Sequence, residues 1–238
     1  MNPKPKYIQK IEQLEIIKKV AFVLKELENN GISQACVASG FTRSFLAKTP
    51  QSDIDIAYYS DVDYKKAREI FTKIIKNHNL TNLDWDFTIY NVKQMNQLYN
   101  SVEDMYLALF VNSIDTVYLN SRGHLIDPTG YGFNDSINRI LRMNNYLTNG
   151  YDYTDSSIVY VCIEGCRRIY KFNWKPTEES IKLIKYGAKY WDKLSNSDKS
   201  YFLNKRIKSK FNTSEYEKAS KIYQEFGWGF LFDLAKGI

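Results

Sequence analysis

Apolar side chains recur every three or four positions from Tyr7 to Asn29, at Ile8, Ile11, Leu14, Ile17, Val20, Leu24 and Leu27. This spacing predicts an amphipathic helix, which Asn29-Asn30-Gly31 stops. Ala35 to Ala38 is a short run of small apolar residues, the pattern of a buried strand. Ser39-Gly40 then turns the chain into one or two helical turns over Thr42–Lys48. Ile54 and Ile56 alternate with Asp53 and Asp55, a strand signature. Helical spacing returns from Asp63 to Asn77, and strict alternation over Leu83–Tyr90 sets Leu83, Trp85, Phe87 and Ile89 against Asp84, Asp86, Thr88 and Tyr90. Val102–Val111 reads as a helix. Ile114–Leu119 and His124–Ile126 read as strands meeting around Ser121-Arg122-Gly123. From Phe133 onward the pattern is helical, with breaks near Asn149-Gly150, Lys175-Pro176, Ser195–Asp198 and Asn212–Ser214.

The pattern predicts an α+β fold: an N-terminal head with a mixed β-sheet over residues 1–147, followed by an all-helical, basic domain over 148–238. Composition agrees. With 44% hydrophobic and 15% aromatic residues, the 238-residue chain can build packed cores, which excludes a disordered tail protein. Its 11 Gly and 5 Pro exclude a collagen. Three cysteines without C-x-x-C spacing, together with a start that lacks a signal-peptide pattern, predict a reducing, cytoplasmic location. The longest apolar runs, Met105–Val111 and Ile158–Ile163, are far too short to span a bilayer, so no membrane partner is expected.

Charge is uneven. Residues 1–174 carry 20 Lys and Arg against 19 Asp and Glu (net +1), whereas residues 175–238 carry 13 against 8 (net +5). The basic quarter also holds Tyr186, Tyr190, Trp191, Tyr201, Phe202 and Phe211, a mixture that suits a phosphate backbone or, equally, the wet face of a helical bundle.

The stretch with the most chemistry runs from Val37 to Ile56. In a strand, residues i and i+2 share a face, so Asp53 and Asp55 direct two carboxylates to one side. Two anions that close repel unless a cation lies between them, and hard oxygen donors suit Mg²⁺ or Mn²⁺ held with substrate phosphates. The alternating strand at 83–90 supplies a third carboxylate, Asp86 first and Asp84 second. Three such carboxylates holding two metal ions can activate a hydroxyl and stabilise a leaving pyrophosphate. Upstream, the Ser39-Gly40 turn lets backbone N–H groups approach a phosphate, and Arg43 follows one turn later to pair with triphosphate oxygens. Arg139 and Arg142, one turn apart, are expected to share a helix face toward a triphosphate or an RNA backbone.

Ser39-Gly40-Phe-Thr-Arg43 followed by Ser52-Asp53-Ile-Asp55-Ile56 resembles the signature of the polymerase-β-type nucleotidyltransferases. It is most similar to the head of class II tRNA nucleotidyltransferases (CCA-adding enzymes) and bacterial poly(A) polymerases, whose pattern is Gly-Gly-x-x-Arg-Asp, then Asp-x-Asp, then a strand with a third carboxylate. Asp86-Phe-Thr-Ile-Tyr90 matches the last of these. Gly123-His-Leu-Ile-Asp127-Pro128-Thr-Gly130 and Asn138-Arg139-Ile-Leu-Arg142 resemble a downstream segment, so the likeness covers residues 37 to 142.

The resemblance implies transfer of NMP from ATP or CTP to an RNA 3′ hydroxyl, that of tRNA in particular, releasing pyrophosphate. It implies Asp53, Asp55 and Asp86 as metal-binding catalytic residues with Mg²⁺ or Mn²⁺, and Ser39, Gly40, Arg43, Asp115, Arg139 and Arg168 as nucleotide contacts. The family's Arg-Arg-Asp ribose segment is replaced by Leu107–Asp115, where Asn112 or Asp115 would substitute. Its base-reading helix corresponds to Glu164-Gly165-Cys166-Arg167-Arg168, with Gly165 where the family has Asp. A different acceptor (a small molecule, a protein or a blocked tRNA end) and a catalytically silent RNA-binding protein stay open as alternatives.

His78 and His124 are read as surface or loop residues, Cys162 and Cys166 as buried small residues, Asp127-Pro128 as a turn that packs the head, and Gly227-Trp-Gly-Phe-Leu-Phe as a core plug.

Overall fold

The structure, a computed structural model, describes residues 7–10, 15–50, 53–91, 93, 99–109, 112–143 and 154–236. The side chains of 7–10, 86–90, 108 and 109 also lie outside the description. Two compact units emerge, Met1–Asn138 and Arg139–Ile238. The boundary expected between 147 and 148 lies outside the described residues, as does the break near Asn149-Gly150.

The first unit is built on a six-stranded mixed sheet in the order β1 (Tyr7–Lys10), β6 (His124–Asp127), β5 (Tyr118–Asn120), β2 (Cys36–Ala38), β3 (Ile54–Tyr58), β4 (Trp85–Asn91). All neighbours are antiparallel except β3 and β4, which α3 (Tyr64–Asn77) connects in parallel. Strand alternation decides the layers. Val37, Ile54, Ile56, Tyr58, Leu119 and Leu125 pack with α1 (Glu15–Asn29) and α3 in one apolar core. Cys36, Ala38 and Ala57 join Val102, Met105 and Tyr106 of α4 (Val102–Leu109) in a second cluster. Asp63 caps α3 by accepting from the Lys66 N–H at 3.0 Å.

Three elements depart from the sequence pattern. Residues 7–10, expected within a helix from Tyr7, instead pair with β6 and satisfy its backbone as a strand, and the helix is described from Glu15. The strand expected from Ile114 begins at Tyr118. The Asn112 side-chain oxygen accepts from the N–H groups of both Ile114 and Asp115 at 3.0 Å, an Asx-type turn that bends the chain first. Finally, α5 (Gly132–Asn138) ends before Arg139, whose φ of 55° leaves the helix. Arg139 and Arg142 therefore do not share a helix face.

The second unit is helical around α6 (Asp155–Phe172), which packs against α7 (Glu178–Gly187), the 3₁₀ turn Ala188–Lys193 and α9 (Thr213–Glu225). α8 (Asn196–Phe202) leads into a π-helical turn, Leu203–Lys208, and α10 (Phe230–Lys236) closes the unit. The otherwise helical pattern includes one small ladder, β7 (Ile140–Leu141) against β8 (Lys175–Pro176). Its donors are the N–H groups of Lys175 and Thr177, so Pro176 sits where no donor is needed.

The expected core plug is present. Trp228, Leu231 and Phe232 are fully buried, and Trp228 Nε1 donates to the Ile184 carbonyl at 2.9 Å. Cys162 and Cys166 are buried free thiols. Among the described residues no helix is long and apolar enough to cross a membrane.

Candidate active site

One end of the sheet gathers the expected chemistry. Cys36 and Val37 of β2 lie opposite Ala57 and Ile56 of β3, so the Ser39-Gly40 turn leaves β2 at the end where β3 begins. Asp53 is exposed just before β3, and Asp55 is half-buried as its second residue. The parallel ladder pairs Asp55 with Asp86, then slips so that Ile56 pairs with Ile89. This bulge falls immediately after the two aspartates and interrupts the alternation of β4. Asp84 is exposed, and its carbonyl accepts from the Ile54 N–H at 2.9 Å.

Register thus brings the backbones of Asp55 and Asp86 side by side, with Asp53 two residues upstream; the Asp86 side chain lies outside the described residues. Among the described residues no group of three His, Cys, Asp or Glu is arranged to hold a metal. The donor set still fits a hard divalent cation, since Asp53 and Asp55 offer only carboxylate oxygens at an accessible sheet end.

Beneath this end lies a buried polar network. The Arg43 guanidinium is ion-paired with the Asp115 carboxylate, and the second Asp115 oxygen accepts from Asn112 Nδ2 at 2.8 Å. The Ser39 N–H donates to the Asp115 carbonyl at 3.2 Å, and the Ser39 carbonyl accepts from the Arg43 N–H at 2.9 Å to start α2 (Gly40–Leu46). Thr42 Oγ1 donates to the Val117 carbonyl at 2.8 Å. Ser39 itself holds φ 57° and ψ −114°, a conformation that favours glycine, which is the residue the resembling family carries there. Asp127 performs its expected turn role. One carboxylate oxygen accepts from the N–H groups of Thr129 and Gly130 at 3.1 and 3.0 Å, and the other from Phe133 at 3.2 Å.

On the α4 side, Cys36 Sγ and Tyr106 Oη lie 3.3 Å apart. Burial first, then Cys36, Tyr118 and Asp55, push the Tyr106 hydroxyl well above its ordinary range, so it stays protonated beside the carboxylate strand. Periodicity gave no sign of this tyrosine, because the contact joins residues 70 positions apart.

Arg139 and Arg168 belong to the helical unit. Arg139 is exposed; Arg168 is largely buried, with Nη1 3.6 Å from Glu164. Arg167 donates to the same Glu164 oxygen through Nε at 2.8 Å and Nη2 at 2.6 Å, and Arg206 lies 3.6 Å from the other. Arg206 is not apparent from the sequence; the π-helical turn and the Tyr160 ring, 4.7 Å away, set its position. A Cβ at Gly165 would meet Met143 Sδ at 2.9 Å and Ile184 Cδ1 at 3.2 Å, so this position faces packed apolar side chains that an aspartate would have to displace.

A mixed sheet with paired aspartates at one end and a helical unit after it is the architecture expected from the nucleotidyltransferase resemblance. No protein-family model matches the sequence, and no curated protein matches it. Among solved structures, the chain is similar to a CCA-adding enzyme with CTP, at 16% identity and a TM-score of 0.61 over 90% of this chain and 54% of that one. It is also similar to the Thermotoga maritima CCA-adding enzyme complexed with tRNA, at 16% identity and a TM-score of 0.64 over 92% and 54%. A tRNA-processing enzyme with CTP matches at 12% identity and a TM-score of 0.63 over 88% and 57%. The chain spans little more than half the length of these proteins and shares their fold.

Proposed function

We propose that the protein is a metal-dependent nucleotidyltransferase that moves NMP from ATP or CTP to an RNA 3′ hydroxyl, that of tRNA in particular. The observation that carries this reading is the Asp55–Asp86 register with Asp53 two residues before, at the open end of a sheet with the CCA-adding-enzyme fold. Asp53, Asp55 and Asp86 would hold Mg²⁺ or Mn²⁺, which when bound neutralises phosphate charge and lowers the pKa of the attacking hydroxyl.

Asp86, on the edge strand, receives the acceptor hydroxyl and helps remove its proton. The 3′ oxygen forms a bond to the α-phosphorus, the bond to the β-phosphate oxygen breaks, and pyrophosphate carries that electron pair away. Gly40 faces the triphosphate with its backbone N–H, while the Ser39 N–H bond to the Asp115 carbonyl and the Arg43–Asp115 pair hold that turn in place.

The test is incorporation of each labelled NTP, with Mg²⁺ and with Mn²⁺, into total tRNA and into tRNA trimmed at its 3′ end, beside an Asp55→Asn variant. Labelling that the variant loses supports the reading, and the preferred acceptor separates CCA repair from other tailing. RNA left unlabelled with every NTP overturns it.

A further inference from the structure

α7 continues without interruption into the 3₁₀ turn Ala188–Lys193. Its inner side is committed to the core through Ile184, Gly187 and Trp191. Its outer side carries Lys185, Tyr186, Lys189 and Lys193, all exposed, with Tyr190 half-buried among them. Lys185 and Lys189 are one helical turn apart. In a 3₁₀ turn, side chains at i and i+3 eclipse, which sets Lys193 Nζ over the Tyr190 ring at 4.6 Å. Lys189 Nζ likewise lies 5.1 Å from the Tyr186 ring centre. The two rings stand 5.6 Å apart, and Tyr190 Oη donates to Tyr186 Oη at 3.3 Å. The result is a continuous stripe in which ammonium groups and aromatic rings alternate.

Its charge is not cancelled. Among the described residues, Lys185, Lys189 and Lys193 form no ion pair with a carboxylate, whereas Lys19, Lys221 and Lys236 are paired with Glu15, Glu217 and Asp233. The neighbouring acids are few. Glu179 acts on Lys182 and Arg142, Asp155 reaches Tyr190, and Asp192 is exposed within the 3₁₀ turn.

We propose that this stripe binds the phosphate backbone of RNA, with Lys185, Lys189 and Lys193 as phosphate contacts and Tyr186 offering an exposed ring on which a base stacks. Spaced cations interleaved with aromatic rings are the arrangement that single-stranded nucleic acid uses. An anionic membrane would require an apolar face to bury, and the stripe has none. The choice of RNA rests on the proposed acceptor; the surface itself rests on its own geometry.

The test measures binding of a short, unstructured, fluorescein-labelled RNA by anisotropy from about 50 to 200 mM salt. Wild type is compared with Lys185→Gln/Lys189→Gln/Lys193→Gln and with a control, Lys19→Gln/Lys221→Gln/Lys236→Gln, that removes the same net charge from paired lysines. The stripe variant is expected to lose affinity roughly tenfold and to lower the log–log salt slope by about 2, from three phosphate contacts at about 0.7 each, while the control stays close to wild type. Equal losses in both variants, or an unchanged slope in the stripe variant, overturn the proposal. NMP incorporation is read on the same samples. Labelling by a wild type whose slope ignores the stripe sinks the stripe and leaves the transferase standing. Stripe-dependent binding without labelling at any NTP does the reverse.

Discussion

Arg43 and Asp115, 72 residues apart in sequence, form a buried ion pair that ties the start of α2 to the loop before β5. Removing one partner of such a pair strands the other charge in a poorly hydrated site. Asp115→Asn is therefore expected to lower stability by about 3 kcal/mol in urea unfolding. Arg43→Met with Asp115→Leu should recover most of that loss, because neither charge is then left buried. If the double variant is as unstable as the single one, the pair's charges are not what holds the turn.

Ser39 pays a backbone cost that glycine would avoid. At φ 57° and ψ −114° a side-chain-bearing residue is strained, while glycine loses more entropy on folding. The difference favours Ser39→Gly by about 1 kcal/mol, seen as a raised urea midpoint. A lowered midpoint would mean that the serine side chain contributes more than the backbone strain removes.

Asp53 and Asp55, two residues apart at the start of β3, should make stability respond to divalent cations. At a concentration about 100 times the dissociation constant, Mg²⁺ or Mn²⁺ is expected to add about 2.7 kcal/mol, several degrees in Tm, to the wild type. Asp55→Asn should abolish that shift and melt higher than wild type in chelator, since one of two repelling charges is gone. Identical metal responses in the two proteins would remove Asp55 from the metal site.

Glu164 couples the helical unit to pH. Burial alone would raise its pKa, but Arg167, Arg168 and Arg206 outweigh burial and hold it below the ordinary 4.5. Ionised Glu164 therefore stabilises the folded chain above the unfolded pKa, and that contribution disappears as pH falls through the folded one. Glu164→Gln is expected to cost about 3 kcal/mol at neutral pH. The gap from wild type should close below pH 4.5 in pH-dependent urea melts. A gap that stays constant down to pH 3 would assign the cost to packing.

The strand that carries the candidate carboxylates was legible in the sequence, because strand alternation is a local property: Asp53, Ile54, Asp55 and Ile56 announce their own faces. The Ser39-Gly40 turn, the end of α1 and the caps near Ser195 and Asn212 are equally local signals. What could not be read depends on partners far along the chain. Tyr7–Lys10 has helical periodicity yet forms a strand because β6 offers it hydrogen bonds. The slip after Asp55 and Asp86 is a property of two strands together. Arg206 meets Glu164 across 42 residues through a π-helical turn that no apolar periodicity marks.

The pairing of β1 with β6 has a practical consequence for anyone handling the protein. β1 covers one margin of the sheet, and among the described residues its four, Tyr7–Lys10, pair with β6 there. A version beginning at Glu15 would present the amides and carbonyls of His124–Asp127 to any passing extended chain, inviting strand exchange between molecules. Trimming this end, or fusing a bulky partner to it, would thus promote self-association of the protein.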